Sequence, residues 1–111
     1  MARDPIEVVR LFVAAINSGN PTRVSELVTE DHVFVDSGGR ASAGRSTMAQ
    51  GWGAYFRMFP DYRIEIETIL ADGALVAVFG RASGTYAGRR GIVPRNRIDM
   101  PAAWRATVEH D

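Results

Sequence analysis

The segment INSGNPTRVSELVTEDHVFVDSGG, residues 16–39, decides how the chain is read. Asn17 to Asn20, an N-x-G-N turn, ends one helix and starts another: Gly19 is a C-terminal stop, and Asn20-Pro21 supplies a cap followed by proline at the first helical position. A short second helix follows and buries Val24, Leu27 and Val28. From His32 to Asp36 the period changes to two. His32, Phe34 and Asp36 then share one face of a short strand, and Val33 and Val35 share the other. Both faces are expected to be largely buried, yet one ends in a carboxylate. Two readings of Asp36 stand. It caps the turn DSGG through amides two residues on, or it is a desolvated acid or base at the mouth of an apolar pocket.

Upstream, DPIEVVRLFVAAINSGN has the signals of a helix. Asp4 is the N-cap, Pro5 the first helical residue, and Glu7 sits three after the cap. Ile6, Val9, Phe12, Val13 and Ile16 form its apolar stripe. Downstream, SGGRASAG reads as a loop. RSTMAQGWGAYFRMF then reads as a third helix with a Thr47–Gln50 capping box and an aromatic stripe of Trp52, Tyr55, Phe56 and Phe59. Gly51 and Gly53 weaken that helix by about 1 kcal/mol each, and close approach of a neighbour is the expected reason for them. Pro60 ends it.

The remainder is β-rich. YRIEIETIL alternates, with Tyr62, Ile64 and Ile66 on one face. Asp72-Gly73 is a hairpin turn, LVAVFGRASGTY a central strand, and AGRRGIVPRNR a basic loop. In the last strand Met100, Ala102, Trp104, Ala106 and Val108 share a side, and Pro101 marks an edge or bulge. Helices gathered in the first half, followed by long antiparallel strands, give an α+β fold. A curved sheet wrapped around three helices would enclose a cone.

The 111 residues suit one domain, 1–111. All 13 basic side chains are arginine, and 13 acidic ones balance them to zero net charge, which argues against a nucleic-acid partner. With no cysteine, disulfide, thiolate and zinc–thiolate chemistry are excluded. No apolar leader and no run of about 20 apolar residues is present, so neither a signal peptide nor a membrane partner is expected and the cytoplasm is the default location.

On VVRLFVAAINSGNPTRVSELVTEDHVFVDSGG, AGRSTMAQGWGAYFRMFPDYRIEIETILADGALVAVFGRASGTY and NRIDMPAAWRATVEHD, the chain resembles the nuclear transport factor 2-like superfamily. It is most similar to the SnoaL-like, polyketide-cyclase-like branch. The resemblance implies a conical, cystatin-like fold with a deep pocket and a homodimer formed through the outer sheet face. It also implies one more strand after VEHD, where this chain stops; truncation, a dispensable strand, or a partner covering the edge would each account for that. The fold does not fix the function, because relatives include isomerases, dehydratases, hydrolases, cyclases and binding modules. The catalytic base of ketosteroid isomerases aligns with Asp36. Their oxyanion donors fall on Phe12 and about Ala103, so that family's isomerase activity is not expected here.

Candidate acid–base residues are therefore Asp36 and His32. The bland reading of His32 is a helix-to-strand junction residue. The candidate pocket wall is Phe12, Phe34, Trp52, Tyr55, Phe56, Phe59, Tyr62 and Ala103, facing a hydrophobic small molecule. Trp104 is a candidate for the outer face and a dimer partner. Arg81 interrupts an apolar strand and must be paired, with Glu65 or Glu67 favoured over Asp36 or Asp99. Arg89, Arg90, Arg95 and Arg97 read as a solvated hairpin, with a lid over an anionic group as the alternative. No cofactor and no metal are called for. The expected function is a cofactor-independent cyclase, isomerase or hydrolase acting on a hydrophobic ring-bearing substrate. The alternative is a non-catalytic module for ligand binding or dimerisation.

Overall fold

The computed structural model describes residues 4–35, 39–88 and 91–108, with backbone alone for 88 and 91–94. Helix α1, Pro5–Asn17, begins where expected: the Asp4 carboxylate accepts from the Ile6 amide at 3.0 Å. It ends through Ser18 into Gly19, whose φ of 71° is a conformation that glycine adopts without strain. Helix α2, Pro21–Glu26, is capped by Asn20, which accepts from the amides of Thr22 and Arg23.

Strand β1, Val33–Val35, pairs antiparallel with β2, Ala41–Ala43. Part of the expected glycine-rich loop is thus the return strand of a hairpin. That hairpin is exposed on both faces, with Val33, Phe34 and Val35 at 55%, 40% and 59%. The expectation of two buried faces fails because β1 and β2 form their own two-stranded sheet, and β2 rests on helix α3. Helix α3, Arg45–Met58, starts at Gly44 with no side-chain cap, so the Thr47–Gln50 capping box does not form. The Arg45 guanidinium instead ties it to α2 by donating to the Val28 carbonyl at 3.1 and 2.6 Å. Gly53 has the expected close neighbour, since a Cβ there would meet Pro21 at 3.8 Å; Gly51 has none.

The second sheet has the order β3-β4-β5, from Arg63–Asp72, Leu75–Gly88 and Gly91–Thr107, all antiparallel. The predicted basic loop is largely strand, because β4 and β5 run together almost to their turn; Arg89 and Arg90 lie outside the described residues. Register assigns the faces. Ile64, Ile69, Val76, Val78, Ala82 and Trp104 point inward, while Leu70, Ala77, Phe79, Arg81 and Ala103 point outward. Trp104 pairs with Val78 and packs on the core, so it is not on the outer face where a partner was expected. A bulge between Ile66 and Thr68 lets Ile64, Ile66 and Ile69 all serve the inner side.

The core joins Val9, Val13 and Ile16 of α1 and Val24 of α2 to Ile64, Val76 and Val78 of the sheet. Asn17 fastens this joint. Its amide donates to the Ile64 carbonyl at 3.0 Å and accepts from the Ile64 N–H at 2.7 Å, occupying the open edge of β3. Gly80 sits against the bulge, where an added Cβ would lie 1.9 Å from the Glu65 carbonyl oxygen. The expected outcome for Gly80→Ala is therefore a loss of about 1–3 kcal/mol or more in urea unfolding, and Asn17→Ala should lose a comparable amount through its two hydrogen bonds. Wild-type stability in both variants would contradict these contacts.

Candidate functional site

Helix α3 turns one side toward the start of β3 and there assembles a ring cluster. Trp52 stands 5.8 Å from Tyr55, 5.3 Å from Phe56 and 6.4 Å from Tyr62, centroid to centroid. Tyr55 lies 5.0 Å from Phe59 and 4.9 Å from Tyr62, the latter at 90°. These are edge-on and tilted contacts of the favourable kind. The spacing i, i+3, i+4, i+7 puts the four α3 rings on one helix face. Tyr62 and Phe59 reach the sheet over Gly84, where a Cβ would meet both rings at 3.4 Å. Phe59 also touches Tyr86 at 5.9 Å, a contact with no signal in the sequence pattern.

Beside this cluster the inner face of the sheet is left open. The helices pack on β3 and β4, and none makes comparable contact with β5. Ala82 is 6% exposed, yet Met100, its cross-strand partner on the same face, is 46% exposed. Two residues along, Gly84 pairs with Ile98 beneath Tyr62 and Phe59. Small residues, the rings and the exposed Met100 thioether thus share the inner side of the sheet. Sequence patterning grouped Met100 with Trp104, which was expected on the outer face, and carried no sign that Met100 would lie uncovered on the inner one.

Two phenols supply polarity there. Burial raises the pKa of both Tyr55 and Tyr62, and Tyr62, the more deeply placed, is pushed up to about 12 with help from its neighbour Tyr55. The Tyr62 hydroxyl donates toward the Tyr55 oxygen, a hydrogen bond that raises the Tyr62 value further and partly offsets the effect of burial on Tyr55. Both stay protonated, and so remain donors, across the physiological range.

The other predicted residues divide. Phe12 and Phe56 are half-buried against the core. Phe34 is exposed on the β1–β2 hairpin. Ala103 lies on the outer face opposite Phe79 and does not line the interior. Asp36 lies outside the described residues. His32 is a junction residue through its backbone: its N–H donates to the Thr29 carbonyl and its carbonyl accepts from the Gly44 amide. Its Nε2 is buried without a partner, and desolvation lowers its pKa against the opposing pull of Asp31.

Arg81 does not pair with a glutamate. Its Nε donates to Asp99 at 2.8 Å on the outer face, where both side chains are well exposed, so the pair contributes at most about 1 kcal/mol. Sequence reading also missed Asp61. It accepts from the Thr85 amide at 2.7 Å and hydroxyl at 2.8 Å, which holds its carboxyl below the usual range and pins the start of β3 to β4. Two clefts of about 380 and 260 Å³ indent the helical side, one floored by Ala49 and Gly53 between α2 and α3, the other between α1 and α2. Neither includes a residue of the ring cluster. Among the described residues no group of histidines and carboxylates is arranged to hold a metal ion, and no helix is long and apolar enough to cross a membrane.

The family model of the SnoaL-like domain matches residues 9–111. No curated protein sequence matches the chain. Among solved structures, a protein of ketosteroid isomerase-like fold from Catenulispora acidiphila, in complex with trimethylamine, is 20% identical, with 93% of this chain and 76% of that one covered and a TM-score of 0.80. A SnoaL-like polyketide cyclase candidate from Shewanella putrefaciens is 15% identical, covering 98% and 82%, TM-score 0.81. An LEH-like epoxide hydrolase from M. tuberculosis is 18% identical, covering 95% and 73%, TM-score 0.78. These likenesses establish the α+β class that the element order predicts and the cystatin-like fold that the resemblance implies.

The lowered pKa of His32 fixes the sign of a pH dependence. The fold prefers the neutral imidazole, so its stabilisation is complete above the ordinary value of 6.5 and is lost as pH falls through the lower, folded-state value. Chemical denaturation between pH 8 and pH 5 should show the wild-type losing stability toward the acid end, with a shallower loss in His32→Gln. Identical profiles would contradict the desolvated imidazole.

Proposed function

We propose that this chain, which belongs to the SnoaL-like domain family, binds a hydrophobic, ring-bearing small molecule in the recess between the α3 ring cluster and the open inner face of β5. The observation that carries this reading is the exposure of Met100 at 46% on a face whose neighbour Ala82 is 6% exposed. A long, unbranched, polarisable side chain at the rim of an apolar hollow is suited to adapt to a ligand. Trp52 and Tyr62 give flat surfaces for a ring to stack on, and the phenols give it one polar contact.

The chemistry done there, if the ligand is turned over, is of the cyclase, isomerase or hydrolase type without a cofactor. Polyketide-cyclase and epoxide-hydrolase names among structural neighbours support that class and no single reaction. Asp36 is the proposed acid or base, from its alignment with the catalytic base of the ketosteroid isomerases that the chain resembles. His32, neutral and with a free Nε2, is the second candidate. The outer sheet face, with Leu70, Leu75 and Phe79 exposed together, is the proposed surface for a second copy.

Quenching of tryptophan fluorescence by naphthalene-type compounds tests the recess. Saturable quenching in the wild type should weaken about tenfold or more in Met100→Glu, because a charge is placed at an apolar contact. Equal affinity in that variant would contradict the proposed location. Phe79→Glu should shift any dimer seen in sedimentation toward monomer while leaving the quenching intact, and an unchanged dimer would remove the outer face as the interface.

A further inference from the structure

The cleft of about 380 Å³ between α2 and α3 contains no residue of the ring cluster. Pro21 and Thr22 of α2 face Ala49, Gln50, Gly53 and Arg57 of α3 across it. Arg57 is the one charged residue in this lining, and its guanidinium has no hydrogen bond or ion pair among the described residues. The Nη1 atom lies 3.7 Å from where a Cβ on Gly53 would stand, so the exposed side chain folds back over the floor of the cleft. Gly53 is a second, independent observation. A glycine inside a helix costs about 1 kcal/mol against alanine. An added Cβ would make only ordinary contacts, 3.7 Å from Arg57 and 3.8 Å from Pro21, so packing tolerates alanine there. What the missing side chain preserves is open space beneath the guanidinium.

We propose that this cleft is a second binding site, for a small monocarboxylate with an apolar body. It stands apart from the recess beside β5 and does not depend on it. A planar guanidinium matches a carboxylate through two parallel N–H···O bonds. The Gln50 amide and the Thr22 hydroxyl, whose side chains bond nothing else among the described residues, are neutral donors at its sides. Pro21, Ala49 and Gly53 give an apolar floor for the rest of the ligand. One cation with no carboxylate beside it suits a single negative charge; a phosphate dianion would be left half-neutralised. The volume lies in the range of small-molecule sites.

The test titrates benzoate, benzyl alcohol and inorganic phosphate into isotope-labelled wild type, Arg57→Gln and Gly53→Leu, with backbone amide shifts as the readout. Benzoate should bind the wild type with a Kd of about 0.1–1 mM, as suits an open cleft, and shift the amides of Ala49, Gln50 and Gly53. Its affinity should fall about tenfold in Arg57→Gln, which removes the charged fork, and at least about tenfold in Gly53→Leu, which fills the floor. Benzyl alcohol should bind more weakly than benzoate and change by less than about twofold in Arg57→Gln. Each of four results would overturn the site: no saturable benzoate binding, shifts confined to Tyr62 and Met100, an affinity that Arg57→Gln does not change, or phosphate bound as tightly as benzoate.

Discussion

Everything in this molecule follows from how few helical residues must cover a long sheet. The α1 stripe of Val9, Val13 and Ile16 meets Ile64, Val76 and Val78, and the Asn17 amide locks that contact to the edge of β3. This seals the inner side of β3 and β4. The cover runs out over β5, whose inner residues are only partly buried at Trp104 and Ala106 and open at Met100. A sheet face left apolar and half-roofed is either a defect or a place for a ligand, and the ring cluster beside it favours the second.

The same limit explains the polar details. Asp61 and the Asp4 and Asn20 caps are hydrogen-bonded and serve the fold. The phenols of Tyr55 and Tyr62 turn to each other, and the Nε2 of His32 is left without a partner. Satisfied groups hold the scaffold; the unsatisfied imidazole nitrogen sits where α2 hands over to β1.

Much of the architecture was legible from local chemistry. Asp4-Pro5, Asn20-Pro21 and Asp72-Gly73 each act within a few residues, so caps and turn read directly from sequence. The period-two run gave the Ile64 and Ile66 face of β3, and it grouped Met100 with Trp104 in β5, but that group turns inward where Trp104 was expected outside. What failed depended on pairing at a distance. Ala41–Ala43 is a strand only because β1 lies opposite. Arg81 pairs with Asp99, diagonal to it across β5, although register sets Glu65 directly opposite it in β3. Ala103 went to the outer face by the same register. The rings of the candidate site were visible as a helical stripe, but the exposure of Met100 is a property of what fails to cover it, and no residue pattern encodes that.

The most direct measurement is a crystal structure with 2-acetylnaphthalene bound. The account predicts the bicyclic ring between the α3 ring cluster and Met100, stacked on Trp52 or Tyr62. A recess filled by its own side chains, or a ligand found only in the clefts among α1, α2 and α3, would contradict it.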